Sequence, residues 1–207
     1  MNIAFLEMAD GETEKADIVS SLLIILPSQN NSAQISPGTM LLGLPLIRRA
    51  VLSADRAGFE KIAVFSADVA ETRDCLEGTD AIVLSADQSL PAISAQRIVI
   101  LGGDILPGRK WLEDLLGKPL EPGRMDFEAE TAAVIETFPG QWLMSMTPPP
   151  HGADSPLDTE DAFSALAKTF DANPCKLGDA EVLELTPTMS SDKAEDWLLS
   201  RLVKETD

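Results

Sequence analysis

Asp104 is the residue whose type and placement offer chemistry most directly. It closes the stretch Arg97-Ile98-Val99-Ile100-Leu101-Gly102-Gly103-Asp104, in which an apolar run stops at two glycines and an acid. A carboxylate set just beyond the carboxyl end of a buried strand faces the crevice where open α/β sheets take their ligands, so Asp104 is a candidate ligand or metal group. Asp87, after Leu84-Ser85-Ala86, is placed to approach the same crevice from a neighbouring strand end. The loop from Pro27 through Ser28, Gln29, Asn30 and Asn31 to Gly38 is long, polar and free of lysine and arginine. Long strand-to-helix loops in compact domains are often functional. Arg48 and Arg49 read as the solvated face of a helix, with contact to an anionic ligand as the other reading.

Several chemistries are excluded by count. The sole histidine, His151, lies in the Pro-rich connector Thr147 to Pro156, which argues against Ser-His-Asp and Cys-His sites and against histidine-bound zinc. The two cysteines, Cys75 and Cys175, sit in unrelated contexts, so neither a disulfide framework nor a metal cluster is implied, in keeping with a reducing cytosol.

The elements that must position these residues follow from hydrophobic spacing. Leu22-Leu23-Ile24-Ile25-Leu26, ended by Pro27, reads as a strand buried on both faces. Gly43-Leu44-Pro45 opens a helix whose Leu46, Ile47, Ala50, Val51 and Ala54 share one face and which Gly58 ends. Lys61 to Phe65 is the next strand, Glu71 to Glu77 a short helix stopped by Gly78, and Ala81 to Leu84 a further strand. Ser89 to Ala95 reads as a weak turn leading into the strand that Asp104 terminates. Strands alternating with helices at this spacing imply right-handed βαβ units and a mostly parallel sheet.

Beyond Asp104, Pro107 starts a helix with Trp111, Leu112, Leu115 and Leu116 as its buried ridge. Thr131 to Glu136 and Gln141 to Met146 read as two strands around Phe138-Pro139-Gly140, an antiparallel hairpin. Asp158 or Thr159 caps a helix with Ala162, Phe163, Leu166, Ala167 and Phe170 inward. Glu181 to Leu185 alternates like an edge strand, and Ser190 or Ser191 caps a last helix bearing Ala194, Trp197, Leu198 and Leu202. The expected organisation is a single domain over 1–207, with an α/β core at 1–146, a connector at 147–158, and a helix-strand-helix segment at 159–207 that completes it.

At 207 residues the chain can bury a sizeable core. Its formal charge of −18 argues against nonspecific binding to nucleic acid or to an anionic membrane surface. Neither a signal peptide nor a membrane span is present in the sequence as given, which reads as soluble and cytoplasmic. An acidic protein that handles phosphates needs bound cations or a local basic pocket.

Taken together, Leu22 to Gly38, Gly43-Leu44-Pro45-Leu46-Ile47 and Gly103-Asp104 resemble the nucleotidyltransferase family with the GT-A type, Rossmann-like fold, whose members join a nucleoside triphosphate to a phosphorylated sugar or alcohol. The resemblance spans roughly Leu22 to Leu116. It implies a three-layer α/β fold and a nucleotide held by the first loop, here Pro27, Ser28, Gln29 and Asn30, with Asp87 nearby. It also implies Mg²⁺ held by the strand-end aspartate, which Asp104 matches; Mg²⁺ prefers one or two carboxylates plus substrate oxygens and water. Two positions depart from the family. Pro27-Ser28-Gln29-Asn30 replaces a Gly-rich signature with an arginine, and Leu44 stands where lysine is common. Neutral amides do not replace cationic stabilisation of a leaving pyrophosphate. A second family carboxylate comes from late in the chain, and Glu184 is the candidate for it.

The segment Ala194 to Asp207 resembles the junction at which such a cytosolic domain runs into a membrane-embedded CDP-alcohol phosphatidyltransferase in bacterial bifunctional proteins. This implies a cytidine nucleotide and a phospho-alcohol as partners in phospholipid head-group synthesis, with a membrane domain following. The alternative is a catalytically inactive relative serving as a regulatory or docking module, which the missing Gly/Arg loop favours. A glycosyltransferase using a nucleotide sugar would want an Asp-x-Asp pair, and Gly102 occupies that place.

Overall fold

Leu22, Leu23 and Ile24 are completely buried, with alternate side chains entering cores on opposite faces of one sheet. This is the physical reason the run is continuously apolar. In the computed structural model, which describes residues 2–6, 17–27, 36–85, 88, 90, 93–129, 131–138, 142–147, 163–164, 166–178, 182–186 and 188–204, these residues belong to β2 (Asp17–Ile25). Strand β7 (Ile93–Leu101) flanks β2 on one side, and β5 (Lys61–Ser66) followed by β6 (Ile82–Ser85) on the other, all parallel. The chain therefore winds β2, β5, β6 in one direction and then crosses back over β2 to lay down β7.

Helix α1 (Leu46–Ala57) covers one face of this sheet together with α3 (Arg109–Gly117). Pro45 occupies the N-cap of α1, and Gly58 closes it at φ 98°, a left-handed backbone that suits glycine. Helix α2 (Val69–Cys75) is capped by Asp68, whose carboxylate accepts from the Glu71 N–H at 2.9 Å. The opposite face is covered by helical backbone at Phe163, Ser164, Leu166 and Ala167, with Phe163, Leu166 and Phe170 buried in the second core. The result is a three-layer α/β fold. Truncating any one of the fully buried leucines to alanine would cost about 2–5 kcal/mol.

Antiparallel strands extend the sheet. Strand β10 (Ala132–Glu136) runs beside β7, and β9 (Arg124–Glu128) beside β10. The antiparallel hairpin is thus β9–β10. The strand β11 (Trp142–Thr147) does not pair with β10; its partners are β7 and β1 (Asn2–Leu6). Residues 132–135 of β10 are buried to within 1% because the strand is interior, filled on both edges by β7 and β9, and no edge remains for β11. Strand β12 (Asp171–Pro174) pairs in parallel with β9, which carries the C-terminal segment onto the same sheet. The turn expected at Ser89–Ala95 is shorter than the sequence suggests, since Ile93 and Ala95 already lie in β7. Asp158, Thr159, Ala162 and the connector residue His151 lie outside the described residues.

A third, smaller core joins the ends of several elements. Leu41 of β3 (Met40–Leu41), Leu46, Leu106 of β8 (Ile105–Leu106), Leu185 and Ala194 of α4 (Ser191–Lys204) pack together. Strand β4 (Leu44–Pro45) completes a two-residue hairpin with β3, and β13 (Leu183–Glu184) pairs antiparallel with β8. Ser190 caps α4, its hydroxyl accepting from the Lys193 N–H at 3.4 Å.

Candidate functional site

The sheet order reverses between β2 and β7, and their carboxyl ends stop level with each other. Ile25 is in register with Leu101, and the Leu26 N–H donates to the Leu101 carbonyl at 2.9 Å. An open parallel sheet presents its ligand crevice at such a reversal, outside the carboxyl ends of the strands. Pro27 is buried immediately beyond β2. Beyond β7, the Gly102 N–H donates to the Thr131 carbonyl at 3.0 Å, and the Ile105 N–H returns to the Gly102 carbonyl at 3.3 Å. That turn leaves Gly103 and Asp104 partly exposed at the crevice. Ser28, Gln29, Asn30 and Asp87 lie outside the described residues.

Asp104 is joined to the late part of the chain. The Leu185 N–H donates to its carbonyl oxygen at 2.7 Å, and Glu184 is in register with Ile105. The candidate second carboxylate therefore arrives on the strand paired with the Asp104 turn. A donor set of one or two carboxylates suits Mg²⁺, which completes its shell with water and substrate oxygens. No cluster of three histidine, cysteine, aspartate or glutamate side chains of metal-binding geometry occurs among the described residues. This excludes an all-protein cage there but not the sparse coordination Mg²⁺ favours.

The first turn of α1 lies where the polar loop returns. A helix N-terminus can hold phosphate through its unpaired N–H groups. Here the Leu46 N–H donates to the Thr39 carbonyl at 3.0 Å and the Ile47 N–H to the Pro37 carbonyl at 2.9 Å, so the loop consumes those two donors itself.

Both arginines of α1 are also engaged, which corrects the solvated-face reading. Arg48 Nη1 donates to the carbonyls of Glu77 at 2.8 Å and Cys75 at 3.2 Å, holding the carboxyl end of α2. Arg49 donates through Nε to the Leu41 carbonyl at 2.9 Å and through Nη2 to the Leu42 carbonyl at 3.0 Å. Between β3 and β4, Leu42 and Gly43 both have positive φ, 46° and 79°, the signature of a type I′ turn. Leucine is strained there, and Glu195 of α4 steadies the turn by accepting the Leu42 N–H at 2.9 Å. The Gly-Leu-Pro signal thus marks a clamped hairpin as well as a helix start.

The arrangement has the Rossmann-like architecture of nucleotidyltransferases. No protein-family model matches the chain, and none of the curated proteins does. Among solved structures, it is similar to an inositol-1-phosphate CTP transferase from T. maritima, at 10% identity and a TM-score of 0.54 over 85% of this chain and 93% of that one. It is also similar to a homolog, from Mycobacterium sp. strain JC1, of Mycobacterium tuberculosis rv0371c, at 13% identity and a TM-score of 0.50 over 89% and 97% of the two chains. A Methanothermobacter nucleotidyl transferase matches at 14% identity and a TM-score of 0.44 over 55% of this chain, which spans 62% of that protein's length. The first two of these likenesses establish the fold. Among the described residues, no helix is long and apolar enough to cross a membrane.

Proposed function

We propose that this domain binds a cytidine nucleotide with Mg²⁺ and transfers its cytidylyl group to a phospho-alcohol, the activated alcohol then serving phospholipid head-group synthesis. The observation that carries the reading is the position of Asp104 at the sheet reversal, with the Glu184 strand docked against its turn. Mg²⁺ would be held by Asp104 and would offset the charge that develops on the phosphates as the acceptor phosphate attacks. The chain's own part is to orient that cation: the turn from Gly102 to Ile105 and the Leu185 tether fix the backbone from which the carboxylate projects. Pro27, Ser28, Gln29, Asn30 and Asp87 would contribute the nucleotide contacts.

A second reading has its own support. The first two N–H groups of α1 are taken up by Thr39 and Pro37, and Arg48 and Arg49 are committed to backbone carbonyls. Both facts remove means of holding a triphosphate. They favour a catalytically inactive docking or regulatory module of a membrane CDP-alcohol phosphatidyltransferase.

Calorimetry with CTP and Mg²⁺, paired with an assay for pyrophosphate release in the presence of inositol 1-phosphate, separates the two. Binding with turnover, both lost in Asp104→Asn, supports the transferase. Binding without turnover on any phospho-alcohol supports the silent module. Absence of Mg²⁺-dependent CTP binding removes the transferase reading.

A further inference from the structure

A cavity of about 230 Å³ lies between α1, α3 and α4, on the rim of the third core. Four of the sixteen lysines and arginines of a chain with net charge −18 line it: Arg49, Arg56, Arg109 and Lys110. No carboxylate is among the described residues that line it. Leu106 and the partly buried Trp197 supply an apolar wall. We propose that this cleft, which none of the residues proposed for the Asp104 crevice lines, is a binding site for a small phosphorylated molecule.

The placement of the charges is the argument. Arg109 and Lys110 stand in the first turn of α3, where the helix dipole disfavours cations. The N-cap there is Gly108, which lines the cavity, provides no capping side chain, and is followed by no acid in the first turn. A bound anion would relieve both deficits at once, meeting the N-terminal N–H groups and the two cations together. Arg109 and Lys110 reach Glu113 at 2.7 Å and Asp114 at 3.1 Å, but these are exposed pairs one helical turn away and yield readily to a multivalent anion.

Arg56 points to the same conclusion from the opposite wall. Its guanidinium makes no hydrogen bond or ion pair with a described residue. Its place in the last turn of α1 complements that helix's dipole, which is its ordinary structural role. That role does not account for its convergence with Arg109 and Lys110 on one cavity, where like charges repel and only the latter two have carboxylate partners. The volume suits a phosphate or diphosphate with a small organic group against Trp197.

Inorganic pyrophosphate without divalent metal is the probe, titrated at constant ionic strength into the intact chain. The expected result is a rise in melting temperature, together with shifts of the Gly108 to Trp111 backbone amides and the Trp197 indole in proton–nitrogen correlation spectra. Arg56→Ser/Lys110→Ser, at two exposed positions, should weaken binding by about tenfold or more, with the unliganded spectrum otherwise retained. Asp104→Asn should bind pyrophosphate as the parent does. Unmoved α3 and Trp197 signals, equal affinity in the double variant, or loss of binding in Asp104→Asn alone would each overturn the proposal. A failure of the CTP experiment leaves it standing, because none of the residues proposed to contact the nucleotide or Mg²⁺ lines the cleft.

Discussion

The backbone of Leu185 holds the backbone of Asp104: its N–H donates to the Asp104 carbonyl oxygen at 2.7 Å, while its side chain is buried in the third core. The candidate metal ligand is thereby fixed by a strand far from it in sequence. Replacing Leu185 with proline removes that donor and the β13–β8 pairing beside it. We expect a loss of about 2–4 kcal/mol in urea denaturation, from the orphaned carbonyl and the lost packing. Mg²⁺-dependent nucleotide binding should fall with it. Unchanged stability would mean that the tether contributes nothing.

Trp111 is a structural anchor. Its indole N–H donates to the Leu177 carbonyl at 2.6 Å in a buried setting. Trp111→Phe keeps most of the apolar surface and strands that carbonyl, so a loss of about 1–3 kcal/mol is expected by equilibrium denaturation. Gly178 bears on the same ring. At φ +76° a Cβ there would come within 2.8 Å of the indole, so Gly178→Ala should destabilise the fold as well.

Asp126 carries a pH dependence. Burial pushes its carboxyl up, but hydrogen bonds from Asn173 and Lys118 and the lysine charge outweigh burial, so its folded pKa lies below the usual value. A depressed carboxylate contributes stability that is present above its unfolded pKa, about 3.9, and lost as pH falls through the folded value. Between roughly pH 5 and pH 3 the parent should therefore lose stability more steeply than Asp126→Asn. Parallel slopes for the two proteins in that window would contradict this assignment.

Leu42 offers a gain. It is exposed, and its φ of 46° is unfavourable for a leucine. Asparagine tolerates that conformation, and Asn-Gly is the preferred pair for a type I′ turn. Leu42→Asn is expected to raise stability by about 0.5–1 kcal/mol, read as a higher melting temperature. A fall would show that the leucine side chain matters more than the strain.

What the sequence revealed depended on how local the cause was. Leu22 to Leu26 and Lys61 to Phe65 were legible because burial on both faces writes itself as an unbroken apolar run. Asp104 was legible because a strand end followed by Gly102-Gly103 must turn there. Strand β12 was not: Asp171-Ala172-Asn173-Pro174 has no strand preference and is held at the sheet edge by β9, with Asn173 donating to Asp126 at 3.0 Å. Strand β9 alternates in residue type, with Met125 and Phe127 between Arg124, Asp126 and Glu128, but Asp126 is buried beside Met125 and the charged residues mask the pattern. The pairing of β10 with β9 instead of β11 is a tertiary outcome, set by which edge of β7 remains open. In the candidate site, the same non-local pairing brings Glu184 beside the Asp104 turn, and only its alternating pattern hinted at a strand. The engagement of the α1 arginines is invisible in the sequence because their partners are backbone carbonyls, which leave no mark on residue type.

The tether between Leu185 and Asp104 also sets an order of events during biosynthesis. Strands β2, β5, β6 and β7 can assemble as soon as the ribosome has released the first half of the chain, since their contacts lie within it. The Asp104 carbonyl, however, has no partner on β13 until residue 185 has emerged. The candidate crevice is therefore completed only once β13 has emerged, and a nascent chain carries an acidic turn whose geometry is not yet set.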